Sequence, residues 1–530
     1  MKNNIRYVAS ILIEAASTIA VNSGDQSLLL DNVLARDANG LPYIPGTSIT
    51  GVLHHLYQRT CGDKASYEVF GCTQTNAKDK GGTGKEELGS RLIISSAHIT
   101  NADGKTICDG LFNWENDEYF KGMMLTPQRD HVKITDKGVG KKGNKFDREL
   151  LFKGTRFGFE IEFIANDNDV DKARWNDLIN LLENDLFKLG AGTRNGSGKI
   201  RVIGINKSVY DLTKKSQLLE YLNKSSNLNN THFKQIDLDK PISSKENLAY
   251  QVTLQPRDFI FFGSGHPDTD ADGSPKEEQV IEWQNGKCVF KEKYLIPATS
   301  IKGALSHRTA FHYNRLHEKF MGTYNLIDEA VYKMDKENAL NAFSIESTAN
   351  WTSDDPRWEE IIADVKSKSF SSFKEDEGSS IINRFEAKLK DLQKEEHTVE
   401  GVGENNLAVK YLFGCKKNSK KGESGQIGRL LIEDIYLDTA KCETHVFNHV
   451  KIDRFTGGAY DGALFQEKAL YYKDAITLNI ILDTNIDESK QEIFDLAKVA
   501  FEAALEDLKN GHLALGGATT KGYGTFQTQL

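Results

Sequence analysis

"YIPGTSITG" (43–51) decides the reading of this chain, because "LIPATSIKG" (295–303) repeats it in the second half. In each copy Ile-Pro leads into Thr-Ser and then into a helical pattern. Proline stiffens such an entry, and a Ser or Thr caps the first free N–H groups of the helix. The same N–H groups and hydroxyls can also hold a phosphate at the positive end of a helix. Ser48 and Thr50 in the first copy, and Ser300, Lys302 and Arg308 in the second, are therefore candidate phosphate contacts. His54, His55 and His307 lie on the same helices, where exposed histidines are common.

Four further landmarks recur in the same order. "VFGC" (69–72) answers to "LFGC" (412–415), and "RLIISSA" (91–97) to "RLLIEDI" (429–435). "HVKI" occurs at 131–134 and again at 449–452. "LGAGTRNGSGKI" (189–200) answers to "LGGATTKGYGTF" (515–526). A shared order of this kind is the mark of a tandem duplication. The Lys-, Asn- and Ser-rich segment 207–246 reads as a linker between a first domain, 1–206, and a second, 247–530. The second copy is much longer between Gly303 and Phe413 than the first between Gly51 and Phe70. That places an insertion at about 324–404, where "DPRWEEIIADVKSK" and "IINRFEAKLKDLQKEE" have helical periodicity with charged faces.

Alternation in "RYVASILIEA", "GFEIEFIA", "AYQVTLQ" and "ITLNIILDT" predicts strands. "ARWNDLINLLENDLFKLG" and "EIFDLAKVAFEAALEDLKNG" predict helices that end at glycine. Each copy thus runs strand, helix, strands, helix, Gly-rich loop, final strand. The expected fold class is α+β, two tandem ferredoxin-like domains of the kind found in RNA-recognition motifs.

Composition bounds the function. A chain of 530 residues is too long for one ordinary core. Its net charge of −9 speaks against indiscriminate coating of DNA, though not against a local basic groove. Six cysteines form no CxxC pair, so neither a zinc ribbon nor a disulfide framework is indicated. The apolar stretch "YVASILIEAASTIAV" (7–21) is broken by Glu14 and is too short to span a bilayer, and no cleavable signal is apparent. A cytoplasmic chain without membrane contact is expected.

The Gly-rich loops are not nucleotide P-loops, since Lys199 is followed by Ile and the second copy has no Lys after Gly524. Their recurrence after a helix, with Arg194 and Lys521 embedded, fits close approach to an RNA backbone as well as a tight turn. "DTDADG" (268–273) has the spacing of a calcium loop, but Gln279 stands where that loop needs Glu. An enzyme that processes precursor RNA would want a histidine-centred acid–base pair. Neither His98 nor His131 has a clear partner in the sequence.

"DNVLARDANGLPYIPGTSITG" (31–51), followed by "FG", "RL", a basic hairpin and G-x(5)-G-x-G, resembles the RAMP superfamily of CRISPR proteins. It looks in particular like the backbone RNase subunit of type III effector complexes. "HVKIDRFTGGAYDGALFQEKALYY" (449–472) is similar to that family's thumb, and two fused units are similar to the double-unit subunit of subtype III-D. The resemblance covers most of both copies but neither the linker nor the insertion.

The resemblance implies a guide RNA lying across each unit and a thumb hairpin that displaces a nucleotide of the guide–target duplex. The partners it implies are CRISPR guide RNA, complementary target RNA, and other RAMP and large subunits. The thumbs would be about 131–152 and 449–471, with Phe146 or Phe465 as wedge. His131, Lys133, Lys141, Lys142 and Lys145, and in the second copy Lys451 and Arg454, would meet RNA. Catalysis is implied at Asp31, as base or as ligand of a divalent ion (Mg2+ or Mn2+) that assists attack of a 2′-OH on the adjacent phosphorus. In the second copy the loop is longer, and an alignment through Val33 and Val280 sets Glu278 opposite Asp31, while Asp268, Asp270 and Asp272 lie in the same loop. A non-catalytic RNA-binding scaffold of the same kind of complex is the other reading.

Overall fold

The computed structural model describes residues 3–24, 32–72, 87–134, 140–225, 228, 233–235, 247–317, 401, 403–416 and 425–528. The first unit consists of β1 (Ile5–Ala15), α1 (Gly46–Cys61), β2 (Leu92–Ile94), β3 (Gln128–Ile134), β4 (Gly140–Glu149), β5 (Arg156–Ala165), α2 (Asp169–Asn180) and β6 (Ile200–Asp211). Its sheet runs β2-β5-β1-β6, antiparallel throughout. With the β3–β4 hairpin set aside, the four sheet strands lie in the order 2-3-1-4, the ferredoxin-like topology.

The second unit repeats the plan. It contains β7 (Asn247–Pro256), β8 (Glu277–Gln284), β9 (Lys287–Ile296), α3 (Ala298–Leu316), β10 (Leu430–Ile432), β11 (Ile435–Asp438), β12 (Cys442–Ile452), β13 (Ala459–Tyr472), β14 (Ile476–Asp483), α4 (Gln491–Lys509) and β15 (Phe526–Gln527). Its sheet is β10-β14-β7-β15, again 2-3-1-4. The two ferredoxin-like domains expected from the order of elements in each copy are therefore present. Each helix buries the stripe its period dictates: α4 puts Phe494, Ala497, Phe501, Ala504 and Leu508 into the core, and α1 buries Ile49, Leu53 and Leu56.

The units are joined by more than a linker. Hairpin β8–β9 of the second unit reaches into the first, where Ile281 is part of the buried core and Phe290 packs on Phe152 and Tyr119. The Trp283 indole N–H donates to the Gly154 carbonyl at 2.7 Å, and the Arg156 guanidinium lies over its ring. The linker also begins later than its composition suggests. β6 runs to Asp211, and the helix Lys215–Leu222 ties back through Tyr221 to Glu162 at 2.6 Å. The insertion at 324–404 lies outside the described residues except for its last few positions, among them Glu404.

Both thumbs are hairpins, β3–β4 and β12–β13. They start a few residues earlier than expected because the alternating pattern continues down the stem. In both, the ladder slips at the repeated tetrapeptide, between Val132 and Ile134 and between Val450 and Ile452. The extra residues lie on the second strand, 141–144 and 460–463, opposite Lys133 and Lys451, and a bulge of this kind twists the ribbon.

Candidate functional site

Backbone hydrogen bonds fix how the two candidate loops correspond. In the first unit Ser23 N donates to Val33 O, Ala35 N to Val21 O and Glu149 N to Asn32 O, while Ile19 and Leu151 exchange both bonds. In the second, Ser264 N donates to Ser274 O, Lys276 N to Phe262 O and Lys468 N to Gly273 O, while Ile260 and Leu470 exchange both. The two sets superimpose residue for residue, so Gly273 answers to Asn32. One position earlier in the sequence, Asp272 answers to Asp31. Asp31 itself lies outside the described residues.

This register corrects the alignment through Val33 and Val280. The loops are equal in length, and Glu278 answers to Asp37. The extra residues of the second copy belong to hairpin β8–β9, which replaces the tight turn after Asp37. Glu278 is also buried, held by Arg129 through two hydrogen bonds of 2.7 and 2.9 Å. A carboxylate committed in that way is unsuited to receive a substrate proton.

The other acids divide in two. Asp268 and Asp270 both accept from Lys468 on the thumb stem, at 3.1 and 3.2 Å, and Asp268 also closes its own turn by accepting from the N–H groups of Asp270 and Ala271. An ammonium thus sits between the first two carboxylates of the calcium-like motif. Asp272 is exposed, and among the described residues it accepts one hydrogen bond, from Gln466 N at 2.8 Å. His266 on the same loop reaches Asp130 of the first thumb at 3.2 Å, so that thumb lies against the second unit's acidic loop.

The helix entries differ from the capping expected of them. Pro45 and Pro297 occupy the N-cap positions without a side-chain cap, and Ser48 and Ser300 fall inside the first turn. The leading N–H groups are met from outside the helix: Gly46 N donates to Ser96 Oγ, and Ala298 N to Asp434 Oδ1 at 2.8 Å. The anion at the start of α3 is thus a protein carboxylate. Thr50 Oγ1 donates back to Gly46 O.

The glycines of the two loops have a backbone reason. At Gly198 and Gly524 a Cβ would stand 2.6 and 1.9 Å from the carbonyl oxygens of Leu189 and Leu515, at positive φ. Only glycine permits that approach. The cations beside them and on the helices have partners within the chain. Arg194 lies 4.0 Å from Asp483 of the second unit, with burial lowering its pKa. Lys302 donates to Asn195 at 3.1 Å, and burial, then Arg194, push it down to about 8. Arg308 is bound to Asp507, and Lys521 to Glu467.

The thumbs carry the more accessible charge. Lys133 meets Glu404 at 3.0 Å and Lys145 meets Asp130 at 3.0 Å, both lysines well exposed, while Lys451 lies over Tyr460. Arg454 is exposed at the tip of the second thumb. The side chains of Lys141 and Lys142 lie outside the described residues. His131 stacks on Phe146, as His449 does on Phe465. Burial, followed by Arg148 and Arg129, brings His131 down to about 4, so it is neutral at pH 7.

The RAMP-superfamily profile matches residues 13–201 and 289–527, once for each unit. The chain belongs to the RAMP superfamily. It carries two fused RAMP units, and the match falls on the two ferredoxin-like domains and their thumbs. It is also 30% identical over 188 residues to the CRISPR system Cms endoribonuclease Csm3 of Methanothermobacter thermautotrophicus, an alignment that covers 32% of this chain and 71% of that protein. No helix among the described residues is long and apolar enough to cross a membrane.

Sequence reading missed the strongest polar constellation. Arg129 at the base of the first thumb donates to Glu278, to Asp434 at 2.7 Å and to Tyr436 at 3.1 Å, all of the second unit. Its side chain and both carboxylates are almost wholly buried. Burial alone would lower the arginine's pKa, but Asp434 and Glu278 raise it well above its ordinary value. One signal was available: "RLLIEDI" puts an acid at 434 where "RLIISSA" has Ser96.

Proposed function

We propose that this chain is a guide-RNA-binding backbone subunit of a type III CRISPR effector and that it cleaves complementary target RNA at two carboxylates, Asp31 and Asp272. The observation that carries the second of these is the shared backbone register that sets Asp272 opposite Asp31. Likeness to an endoribonuclease supports the reaction class. Guide RNA, complementary target RNA, and other RAMP and large subunits are the proposed partners.

Stacked A-form RNA holds its 2′-OH out of line with the adjacent P–O bond, so a displaced nucleotide is needed for attack. The thumbs are built to displace one. Each is a bulged ribbon with a histidine stacked on a phenylalanine and a lysine opposite the bulge. Lys133, Lys141, Lys142 and Lys145 on one thumb, with Lys451 and Arg454 on the other, neutralise phosphates. An exposed carboxylate on the facing loop accepts the 2′-OH proton.

Asp272 also suits a divalent ion, since Mg2+ or Mn2+ is commonly held by one or two carboxylates together with substrate phosphates. Such an ion supplies charge neutralisation at the reacting phosphate. Asp268 and Asp270, bound to Lys468, shape the loop and hold no substrate proton.

A non-catalytic scaffold is the second reading, favoured in the second unit by the hydrogen bond Asp272 already accepts from Gln466 N. Guide-loaded protein, incubated with matched RNA and Mg2+ or Mn2+, separates the two. Cleavage lost at one position on Asp272→Ala, with guide affinity retained, supports the nuclease; intact RNA with every variant and with wild type leaves the scaffold.

A further inference from the structure

The contact between the two units gives a template for contacts beyond the chain. Arg129 is the donor side of that junction, and Glu278, Asp434 and Tyr436 are the acceptor side. The duplication supplies the counterpart of each. On the acceptor side, β9 pairs with β11 through Ile296 and Ile435, as Ile44 pairs with Ala97. Ser96 therefore answers to Asp434 and His98 to Tyr436, and the loop register already matches Asp37 to Glu278. On the donor side, the His131–Phe146 and His449–Phe465 pairs coincide, so Phe447 answers to Arg129.

The two outward faces thus have different chemistry. The acceptor face of the first unit remains polar and anionic. His98 lies between Asp37 and Asp109 at 3.8 and 3.9 Å, too far for hydrogen bonds, and its buried Nδ1 has no hydrogen-bond partner among the described residues. The donor face of the second unit is aromatic, with Phe447 packed among Phe259, His445 and Tyr523. Asp37 Oδ1 already accepts from Asn39 N and Leu41 N, but a phenylalanine has no hydrogen bond to give Asp37 Oδ2 or Asp109, and burying them against it would leave them without a donor.

We infer that the Asp37–His98–Asp109 face docks a strand end bearing a cationic side chain from a different polypeptide, and that the chain's own second thumb does not fit it. The acceptor side inside the chain closes on a guanidinium, and this face continues the same interface geometry with a charge of the same sign. A second copy of the chain would bring Phe447 instead. The inference deepens the multi-subunit part of the proposed function and is independent of RNA cleavage.

Sedimentation velocity on the full chain tests it. Wild type should sediment as a single small species, and Phe447→Arg should add dimers and longer head-to-tail chains. Adding Asp37→Asn and Asp109→Asn to Phe447→Arg should remove them again. Wild-type oligomers that vanish on Phe447→Ala would overturn the inference, as would a folded Phe447→Arg chain that stays a single species.

Asp109 is partly exposed, so Asp109→Lys gives a second test with little risk to folding. Purified with its native complex, that variant should lack at least one polypeptide by intact-mass measurement while keeping its guide affinity. A complex of unchanged mass overturns the proposal. A parallel loss of guide affinity does so too, since the face would then bind RNA.

Discussion

The loops of the two units share one backbone frame, but the thumb stem is tied to them by side chains of opposite charge. In the first, Glu149 on the thumb stem accepts from Leu34 N, Thr126 Oγ1 and the Arg36 guanidinium. In the second, the equivalent stem residue is Lys468, which donates to Asp268 and Asp270. What both units keep is a stem residue tied to the loop; the sign of the tie is free to change. Acids that exchange sign with their partner belong to the frame, whereas Asp272 answers to another aspartate.

The largest effect expected away from catalysis comes from cutting the junction that the second thumb lacks. Arg129→Ala leaves Glu278 and Asp434 buried without their cation, and breaking a buried pair on one side typically costs about 3–5 kcal/mol. Denaturation followed by tryptophan fluorescence and circular dichroism should show the two units separating into distinct transitions. Phe447→Ala, at the matching position of the second thumb, removes only contacts within its own unit and should leave both units melting together.

A smaller effect follows from the frame itself. Lys468→Glu should cost about 1 kcal/mol, because the pairs it breaks are partly exposed. Lys468→Glu combined with Asp268→Lys should recover part of that loss in a thermal melt. Asp268→Asn should change target cleavage only slightly; a loss as deep as that of Asp272→Ala would contradict the division between frame and chemistry.

Acid should act on the first thumb through His131. Its folded pKa, about 4, lies below the ordinary value near 6.5, so the unfolded chain takes up the proton more readily. Its contribution is complete above pH 6.5 and is lost as pH falls toward 4. His131→Phe keeps a ring against Phe146 and should flatten that part of the stability profile. An unaltered profile would assign the acid sensitivity to other groups.

The finest distinction concerns salt. Each phosphate contact contributes a slope of roughly 0.7 in log affinity against log salt for single strands. Lys133→Ala and Lys145→Ala should each lower the guide-binding slope by about that amount. Arg308→Ala should not, since its ion pair with Asp507 is shorter and more buried than the exposed Lys133–Glu404 and Lys145–Asp130 pairs.

Much of this fold was legible because duplication leaves landmarks: the Ile-Pro-x-Thr-Ser entries, the "HVKI" bulge and the paired glycines all mark the same places in both units. Charge was harder to read. Arg194, Lys302 and Arg308 look like phosphate ligands in a sequence, yet each faces a partner within the chain, the first two across the seam and Arg308 on α4, and contacts between distant residues have no local pattern. The misplacement of Glu278 had a similar origin. A valine match carried the extra residues of a downstream hairpin into the loop, and only the backbone hydrogen bonds restored the register. Arg129 has no local mark, since its three partners lie far along the chain, and the acid at 434 in place of Ser96 was its one trace.

The central claim, one cleaving carboxylate in each unit, is tested most directly by mapping the cuts in a guide-matched RNA for wild type, Asp31→Ala, Asp272→Ala and the double variant. Loss of a general base typically costs about two to four orders of magnitude in rate. Each single variant should therefore lose one cut and keep the other, and the double should lose both. Products should end in a 2′,3′-cyclic phosphate, and a 2′-deoxy sugar at a cut should block that cut alone. Wild-type cutting that persists at both positions in the double variant would contradict the account.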